Sequence, residues 1–233
     1  LGLAAVLFCL YAWHAHYATN PLIKSDLLRF RTFRVSVFGN LISRLGFGGI
    51  PFLVPLLLQI GLGYSAQLSG LLWAPVAIGV MVTRLFSVKL LRFIGYRRAL
   101  ILNTCCSGLL IWSFMGINAH TPIYIICLLT FGYGIFLSLQ YSAMNALAYA
   151  ELSADDFSAA TSIMSTLQQV AQSFGVAVAA VLIHLFLFLF SSNLTLTVGT
   201  FHHAFFVIGA LTLLSMFIFM QLKVEDGQKL LGG

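Results

Sequence analysis

Long apolar runs alternate with short polar connections along this chain. A helix that crosses a bilayer needs about 20 mostly apolar residues, and the sequence contains several runs of about that length. They cover residues 35–60, 66–88, 99–117, 122–147, 159–190 and 201–222. A shorter run over residues 1–17 predicts the end of one further span. Because the runs are continuous and do not alternate with period two, they favour helices over strands. The pattern predicts an all-α membrane protein, a helical bundle of about seven transmembrane helices.

The composition also favours a protein that is solvated by lipid. Of the 233 residues, 60% are hydrophobic and 8% are charged, and the mean hydropathy is +0.99. So few charged side chains could not cover the surface of a soluble domain of this length. The chain begins at Leu1, inside an apolar run and without an initiator Met, so we expect it to be a fragment of a longer protein.

Basic residues cluster in alternate connections and in the tail. The members of these clusters are Lys24, Arg29, Arg31, Arg34, Arg84, Lys89, Arg92, Arg97, Arg98, Lys223 and Lys229. The connections at residues 61–65, 118–121 and 191–199 contain no Lys, Arg, Asp or Glu. By the positive-inside rule the basic connections are cytoplasmic. This topology explains the net charge of +6, so the charge does not indicate nucleic-acid binding.

Arg44 is the charged residue that lies well inside an apolar run. It follows Arg34 by ten residues, which at ~1.5 Å per helical residue places it roughly 15 Å deep in the membrane. Asn40 is four residues earlier and shares its helix face. An intramembrane Arg is typical of a substrate or coupling-ion pathway; the alternative is a structural clamp to a carbonyl or an acid on a neighbouring helix. No Asp or Glu lies deep in any run, so we expect an acidic partner to come from outside this sequence.

Further polar side chains interrupt the other runs. Candidates for the same pathway are Gln59, Gln140, Asn145, Gln168 and Gln172. Gln and Asn in a membrane helix either line a cavity or hold helices together by hydrogen bonds, and both interpretations stay open here. Pro and Gly interrupt the first two long runs, which predicts kinks there.

The sequence predicts no metal centre and no cofactor. His14 with His16, and His202 with His203, are close pairs, but neither has the spacing that brings two ligands to one helix face. The four cysteines lie in apolar runs without a C-x-x-C pair. With no nucleophile and base pair and no embedded acid, we do not expect an enzyme.

Three segments resemble a known family. They are RLGFGGIPFLVPLLLQIGLGYSAQLSGLLWAP at 44–75, LLRFIGYRRALILNT at 90–104 and YSAMNALAYAEL at 141–152. Their order and spacing are similar to the carboxy-terminal half of the fourteen-helix drug:proton antiporter branch of the major facilitator superfamily, close to its multidrug resistance transporters from Gram-negative bacteria.

The resemblance implies a domain organisation. Residues 1–17 would end a central linker transmembrane helix, 18–34 would form a basic cytoplasmic loop, 35–222 the six-helix carboxy-terminal transporter bundle, and 223–233 a cytoplasmic tail. The loop that resembles the family's cytoplasmic gating loop contains Arg92, Gly95, Arg97 and Arg98. The acid that usually precedes its glycine is absent.

The resemblance also implies a function. It is proton-coupled secondary active export of small amphiphilic or drug-like molecules across the bacterial inner membrane, by alternating access. The implied partners are a small-molecule substrate, protons, membrane lipids and the amino-terminal half of the same chain. The alternative is a non-transporting membrane sensor or assembly protein on the same fold.

Overall fold

The computed structural model describes residues 29–153, 156–190, 195–223 and 225–226, and this part of the chain is helical, without strands. Its α-helices are α1 Arg31–Phe47, α2 Ile50–Leu56, α3 Ala66–Trp73, α4 Pro75–Ile94, α5 Tyr96–Ser113, α6 Ile123–Ala148, α7 Phe157–Phe190, α8 Val198–Leu214 and α9 Met216–Phe219. A π-helical turn, Leu57–Gly61, follows α2, and a 3-10 turn, Phe114–Gly116, follows α5. The predicted helix at residues 1–17 and most of the predicted loop at 18–34 lie outside the described residues.

These helices form six spans that are long and apolar enough to cross a membrane. In chain order, spans 1 to 6 are Arg31–Gly61, Ala66–Ile94, Tyr96–Gly116, Ile123–Ala148, Phe157–Phe190 and Val198–Phe219. The all-α bundle is therefore confirmed. Several helices extend past their apolar runs into the basic residues, because Lys and Arg place their aliphatic stems along a helix while the charge reaches water. Residues 31–34, predicted as loop, are the first turn of α1.

The α-helices of spans 1 and 2 are interrupted in the segments where Pro and Gly predict kinks. Span 1 breaks between α1 and α2, where Pro51 lies in the first turn of α2, and Pro55 precedes the π-helical turn. Span 2 breaks at Ala74, directly before Pro75. Each proline removes a backbone donor from the helix, so the regular α-helical hydrogen bonding stops close to these prolines.

Spans 1 and 4 contact each other. Span 2 packs on span 4 and span 5 packs on span 1. Spans 3 and 6 contact each other, and span 3 also packs on span 4 and span 6 on span 1. Exchanging the first three spans with the last three leaves this set of contacts unchanged. The bundle is thus built from two repeats whose main contacts are equivalent, although spans 1 and 2 also contact each other while spans 4 and 5 have little contact.

Glycines allow close helix approaches at two contacts between the repeats. Between spans 2 and 4, a Cβ on Gly134 would overlap the Val76 carbonyl oxygen. Between spans 1 and 5, a Cβ on Gly175 would overlap the Arg44 carbonyl oxygen, and Gly48 faces the Gln172 carbonyl. Small residues at membrane helix interfaces let backbones approach in this way.

Asp226 and Glu151 stabilise the basic end of the bundle, which is the end where Arg31, Gly95 and Lys223 lie. The guanidinium of Arg31 donates through Nε and Nη2 to the two carboxylate oxygens of Asp226, with Nε to Oδ2 at 3.1 Å. Thr32 donates to Glu151 at 2.9 Å. The start of span 1 is thereby tied to the segment after span 6 and to the connection after span 4.

We expect Gly134→Ala to destabilise the bundle by about 1–3 kcal/mol, the usual cost of overpacking a well-packed site. The new methyl group would overlap the Val76 backbone, which cannot move aside as a side chain can. The measurement is the thermal unfolding midpoint of the intact protein in detergent. Gly132→Ala is the matched control, because its Cβ would meet only the Leu110 side chain, at 3.4 Å. Equal midpoints for the two variants would contradict the prediction.

Candidate functional site

Arg44 lies near the middle of span 1 and joins three spans. Its side chain is buried, with 8% of the residue exposed. Nε donates to Asn40 Oδ1 at 3.0 Å on the same helix, and Nη1 is 3.5 Å from Gln172 Oε1 on span 5. Its Cζ lies 3.8 Å from the ring centroid of Tyr141 on span 4, a cation–π contact. The predicted pairing of Asn40 with Arg44 on one helix face is confirmed.

No carboxylate of the described residues contacts Arg44. The acids within those residues, Glu151, Asp156, Glu225 and Asp226, belong to the connection after span 4 and the segment after span 6. Thirteen residues of helix separate Arg44 from Arg31, or about 20 Å. The guanidinium is therefore held by two amide oxygens and an aromatic face, without an opposite charge.

Two buried polar groups beside Arg44 also lack a partner among the described residues. They are the Asn40 side-chain nitrogen and the Tyr141 hydroxyl. Asn40 itself is 2% exposed. Since buried polar groups are nearly always hydrogen-bonded, this cluster has hydrogen-bonding capacity that its own residues do not use.

A second amide contact continues the polar surface towards the basic end. Gln168 Nε2 on span 5 donates to Asn145 Oδ1 on span 4 at 2.8 Å. Asn145 is one helical turn from Tyr141, and Gln168 is one turn from Gln172. All four side chains are half-buried. The backbones of spans 4 and 5 have little contact, and we refer to the strip between these two spans that the four side chains border, beside span 1, as the groove.

A row of aromatic rings leads from the Arg44 cluster towards span 2. The centroids of Tyr141 and Phe47 are 6.3 Å apart, those of Phe47 and Tyr133 5.9 Å, and those of Tyr133 and Trp73 5.6 Å. The Tyr133 hydroxyl donates to the Phe47 carbonyl at 2.9 Å. The sequence pattern does not predict this row, because its members stand in apolar runs like many other aromatic residues.

Two of the predicted pathway residues lie elsewhere. Gln140 is fully buried between spans 3 and 4, where its Oε1 accepts from Asn103 at 2.7 Å and its Nε2 donates to Thr104 at 3.1 Å. Gln59 is exposed in the π-helical turn of span 1. The structure therefore brings Arg44, Asn40, Asn145, Gln168 and Gln172 together and leaves Gln140 and Gln59 apart from them.

The predicted gating-loop residues form a tight turn at the basic end. The connection between spans 2 and 3 is the single residue Gly95, whose φ of +83° is one that side-chain-bearing residues rarely adopt. Arg92 lies in the last turn of α4, and Arg97 and Arg98 lie in the first turn of α5. Arg97 Nη2 is 3.5 Å from the Met220 carbonyl oxygen at the end of span 6.

The histidines do not assemble a metal centre within the described residues. His202 contacts the Ile117 carbonyl through Nε2 at 3.1 Å, and His203 stacks on Phe190 with centroids 4.8 Å apart. No group of three or more His, Cys, Asp or Glu side chains in the described ranges could hold a metal ion.

Comparison with known proteins identifies the family. A model described as "Major Facilitator Superfamily" matches residues 36–230. A protein named "Putative multidrug resistance protein MdtD" from Enterobacter sp. is 33% identical over 186 residues, which cover 80% of this chain and 39% of that protein. A protein of the same name from Klebsiella pneumoniae is 35% identical over 186 residues, again 80% of this chain and 39% of its own length.

A third relative matches nearly the whole sequence. "Probable transport protein HsrA" from Haemophilus influenzae is 31% identical over 231 residues, 99% of this chain and 50% of its own length. The chain thus spans half or less of the length of each of these relatives. The resemblance drawn from the three segments is confirmed: this is a multi-pass membrane chain that belongs to the major facilitator superfamily, whose members are transporters and not enzymes.

Proposed function

We propose that this chain is the carboxy-terminal bundle of a proton-coupled secondary active transporter that exports small amphiphilic or drug-like molecules. The observation that carries the proposal is the Arg44 cluster, a group of polar side chains from spans 1, 4 and 5 in the middle of an apolar bundle. A charge at that depth is costly and normally faces a water-filled cavity or a pathway. The multidrug resistance names of the relatives support this class of substrate.

The mechanism that fits this arrangement is alternating access. Two bundles rock around a central cavity and expose it to one side of the membrane at a time. In this chain the groove between spans 4 and 5 would face that cavity. Gln172, Asn145 and Gln168 would offer hydrogen bonds to a substrate there, and the half-buried Tyr141 ring would contact its apolar part.

The proton-carrying group would come from another part of the protein. The six spans described contain no Asp or Glu, and Arg44 stays protonated at any physiological pH. Proton coupling needs a group that changes its charge during the cycle. The histidines of the described spans, His184, His202 and His203, lie in the halves of spans 5 and 6 away from the basic end and outside the Arg44 cluster. We therefore propose that the proton-carrying group belongs to the protein's other bundle, which would also complete the central cavity.

The proposed location is a bacterial inner membrane, with the basic end in the cytoplasm. The basic residues at one end of the spans support this orientation, and the relatives come from Gram-negative bacteria. Exposed arginines at that end, such as Arg34 and Arg98, would lie near lipid headgroups.

The first prediction concerns coupling. Cells that express the intact protein should extrude a fluorescent amphiphilic dye, and a proton uncoupler should stop the extrusion because it removes the driving gradient. Cells without the protein, treated in the same way, are the control. Extrusion that continues unchanged after uncoupling would contradict proton-driven export of that dye. Absence of extrusion over a panel of dyes would favour the non-transporting sensor or assembly protein.

The second prediction concerns Arg44. Arg44→Ala in the intact protein should lower dye efflux at least about tenfold, as expected when a charged hydrogen-bonding group is lost from a buried site, while membrane abundance stays unchanged. Arg34→Ala on the same span is the matched control, since Arg34 is exposed at the basic end. The measurement is the initial efflux rate divided by the amount of protein in the membrane. A wild-type rate for Arg44→Ala would overturn the assignment of Arg44 to the pathway.

A third prediction separates the ring of Tyr141 from its hydroxyl. Tyr141→Phe should keep the efflux rate and the unfolding midpoint, because the hydroxyl has no partner among the described residues while the ring holds Arg44. Tyr141→Leu should destabilise the protein by about 0.5–2 kcal/mol through loss of the cation–π contact, and should reduce efflux. Equal behaviour of the two variants would show that the ring does not position Arg44.

A further inference from the structure

The Arg44 cluster has more donors than acceptors. The guanidinium carries five N–H groups, and its hydrogen bonds to described residues use only Nε and Nη1. The Asn40 side-chain nitrogen is buried without a partner. The amide acceptors that these side chains supply, Asn40 Oδ1 and Gln172 Oε1, are already in contact with Arg44, and the Tyr141 hydroxyl, which can donate or accept, is the further unpartnered group. The free N–H groups therefore outnumber the free acceptors, and the described residues of the site supply no negative charge.

A carboxylate group matches both deficits. Its two oxygens can accept from the planar fork of an arginine and from a neighbouring amide N–H at the same time. Its charge would offset the buried guanidinium, which otherwise has no opposite charge in the described residues. A cationic group would be repelled by Arg44, and a neutral hydrogen-bond donor would leave the free N–H groups of the guanidinium and of Asn40 unpaired.

The cluster borders the groove between spans 4 and 5. Asn40 and Arg44 are buried at its base, while Tyr141, Asn145 and Gln172 along it are half-buried. Beside the charge lies the aromatic row from Tyr141 to Trp73, whose two end rings are half-buried. A ligand with an anionic head and a flat apolar body would fit this combination.

We propose that Asn40 and Arg44 form a carboxylate-binding site at the base of this groove. This proposal rests on the proposed transport function, because it names the class of substrate as an amphiphilic carboxylate. The same chemistry could also be supplied by an Asp or Glu side chain elsewhere in the intact protein, so the experiment distinguishes these two sources.

The first arm measures binding to the intact purified protein in the absence of any gradient. The probes are naphthalene-1-carboxylate, its neutral amide and the cation 1-naphthylmethylammonium, which share one aromatic body. Isothermal titration should give the carboxylate an affinity at least about tenfold above that of the amide, the gain expected of a charge-assisted hydrogen bond. The cation should bind most weakly.

Variants test whether this preference belongs to Arg44 and Asn40. Arg44→Gln should remove the preference for the carboxylate, whereas Arg34→Gln, the same change on an exposed part of span 1, should keep it. Asn40→Asp should also remove it while Arg44 is still present, because the new carboxylate lies next to the guanidinium and occupies it. This variant keeps the proposal testable if Arg44→Gln fails to fold.

The second arm tests for a carboxylate of the protein itself. In that case the wild type shows no preference among the probes, and Arg44→Gln lowers the thermal unfolding midpoint. One Asp→Asn or Glu→Gln exchange elsewhere in the intact protein should lower the unfolding midpoint by as much as Arg44→Gln does. Combining that exchange with Arg44→Gln should lower the midpoint no further. If the protein shows neither a carboxylate preference nor such a coupled acid, the proposal is wrong. Because binding is measured without a gradient, this result is independent of whether export is proton-coupled.

Discussion

Spans 1 and 5 touch backbone to backbone, and the contact of Arg44 with Gln172 on span 5 depends on that approach. Gly175 lies against the Arg44 carbonyl oxygen and Gly48 lies against Gln172. In a bilayer the helices gain little from burying apolar surface, since lipid is equally apolar, so close packing has to hold them together. A side chain at either glycine would push span 5 outward. Gln172 would then lose its contact with the guanidinium, which is already at 3.5 Å.

The distribution of acids explains why Arg44 stays without an opposite charge. Asp226 pairs with Arg31, and Glu151 accepts from Thr32, so these carboxylates stabilise the basic end, where water lowers the cost of charge. An acid placed beside Arg44 within this bundle would have saturated the guanidinium. Leaving the buried charge only partly compensated is costly for folding, but it keeps the group able to bind something that arrives from outside the bundle.

Much of the fold could be predicted from the sequence, because its signals are local. Long apolar runs indicate the spans, prolines indicate the helix interruptions, and basic residues in alternate connections indicate the orientation. The contact between Asn40 and Arg44 was also predictable, since it follows from helical spacing alone. That Gln140 and Tyr141 contact different spans could not be predicted. These neighbours point about 100° apart on one helix, and only the packing decides that Gln140 meets span 3 while Tyr141 meets span 1. The aromatic row was hidden for a similar reason, because Phe47 and Tyr133 do not differ in the sequence from aromatic residues that face lipid.

The two repeats offer an internal comparison that bears on the role of Arg44. Gly134 and Gly48 make equivalent close approaches, and the residues four positions earlier are Thr130 and Arg44. The Thr130 hydroxyl donates to the Leu72 carbonyl of span 2 at 3.0 Å and also lies near carbonyls of its own helix, so it is fully satisfied. Val76 and Gln172 also correspond to each other. Val76 lies three residues before Gly79 on span 2, and Gln172 lies three residues before Gly175 on span 5.

The contact between spans 2 and 4 is thus made with Val and a Thr whose donor is satisfied. The contact between spans 1 and 5 is made with Gln and an Arg that lacks an opposite charge among the described residues. Since the packing geometry is met without the polar pair, helix association alone does not require Arg44 and Gln172. A structural clamp would be expected to saturate its own donors, as Thr130 does. The unused donors around Arg44 therefore support the proposed role of spans 1 and 5 in binding a complementary group.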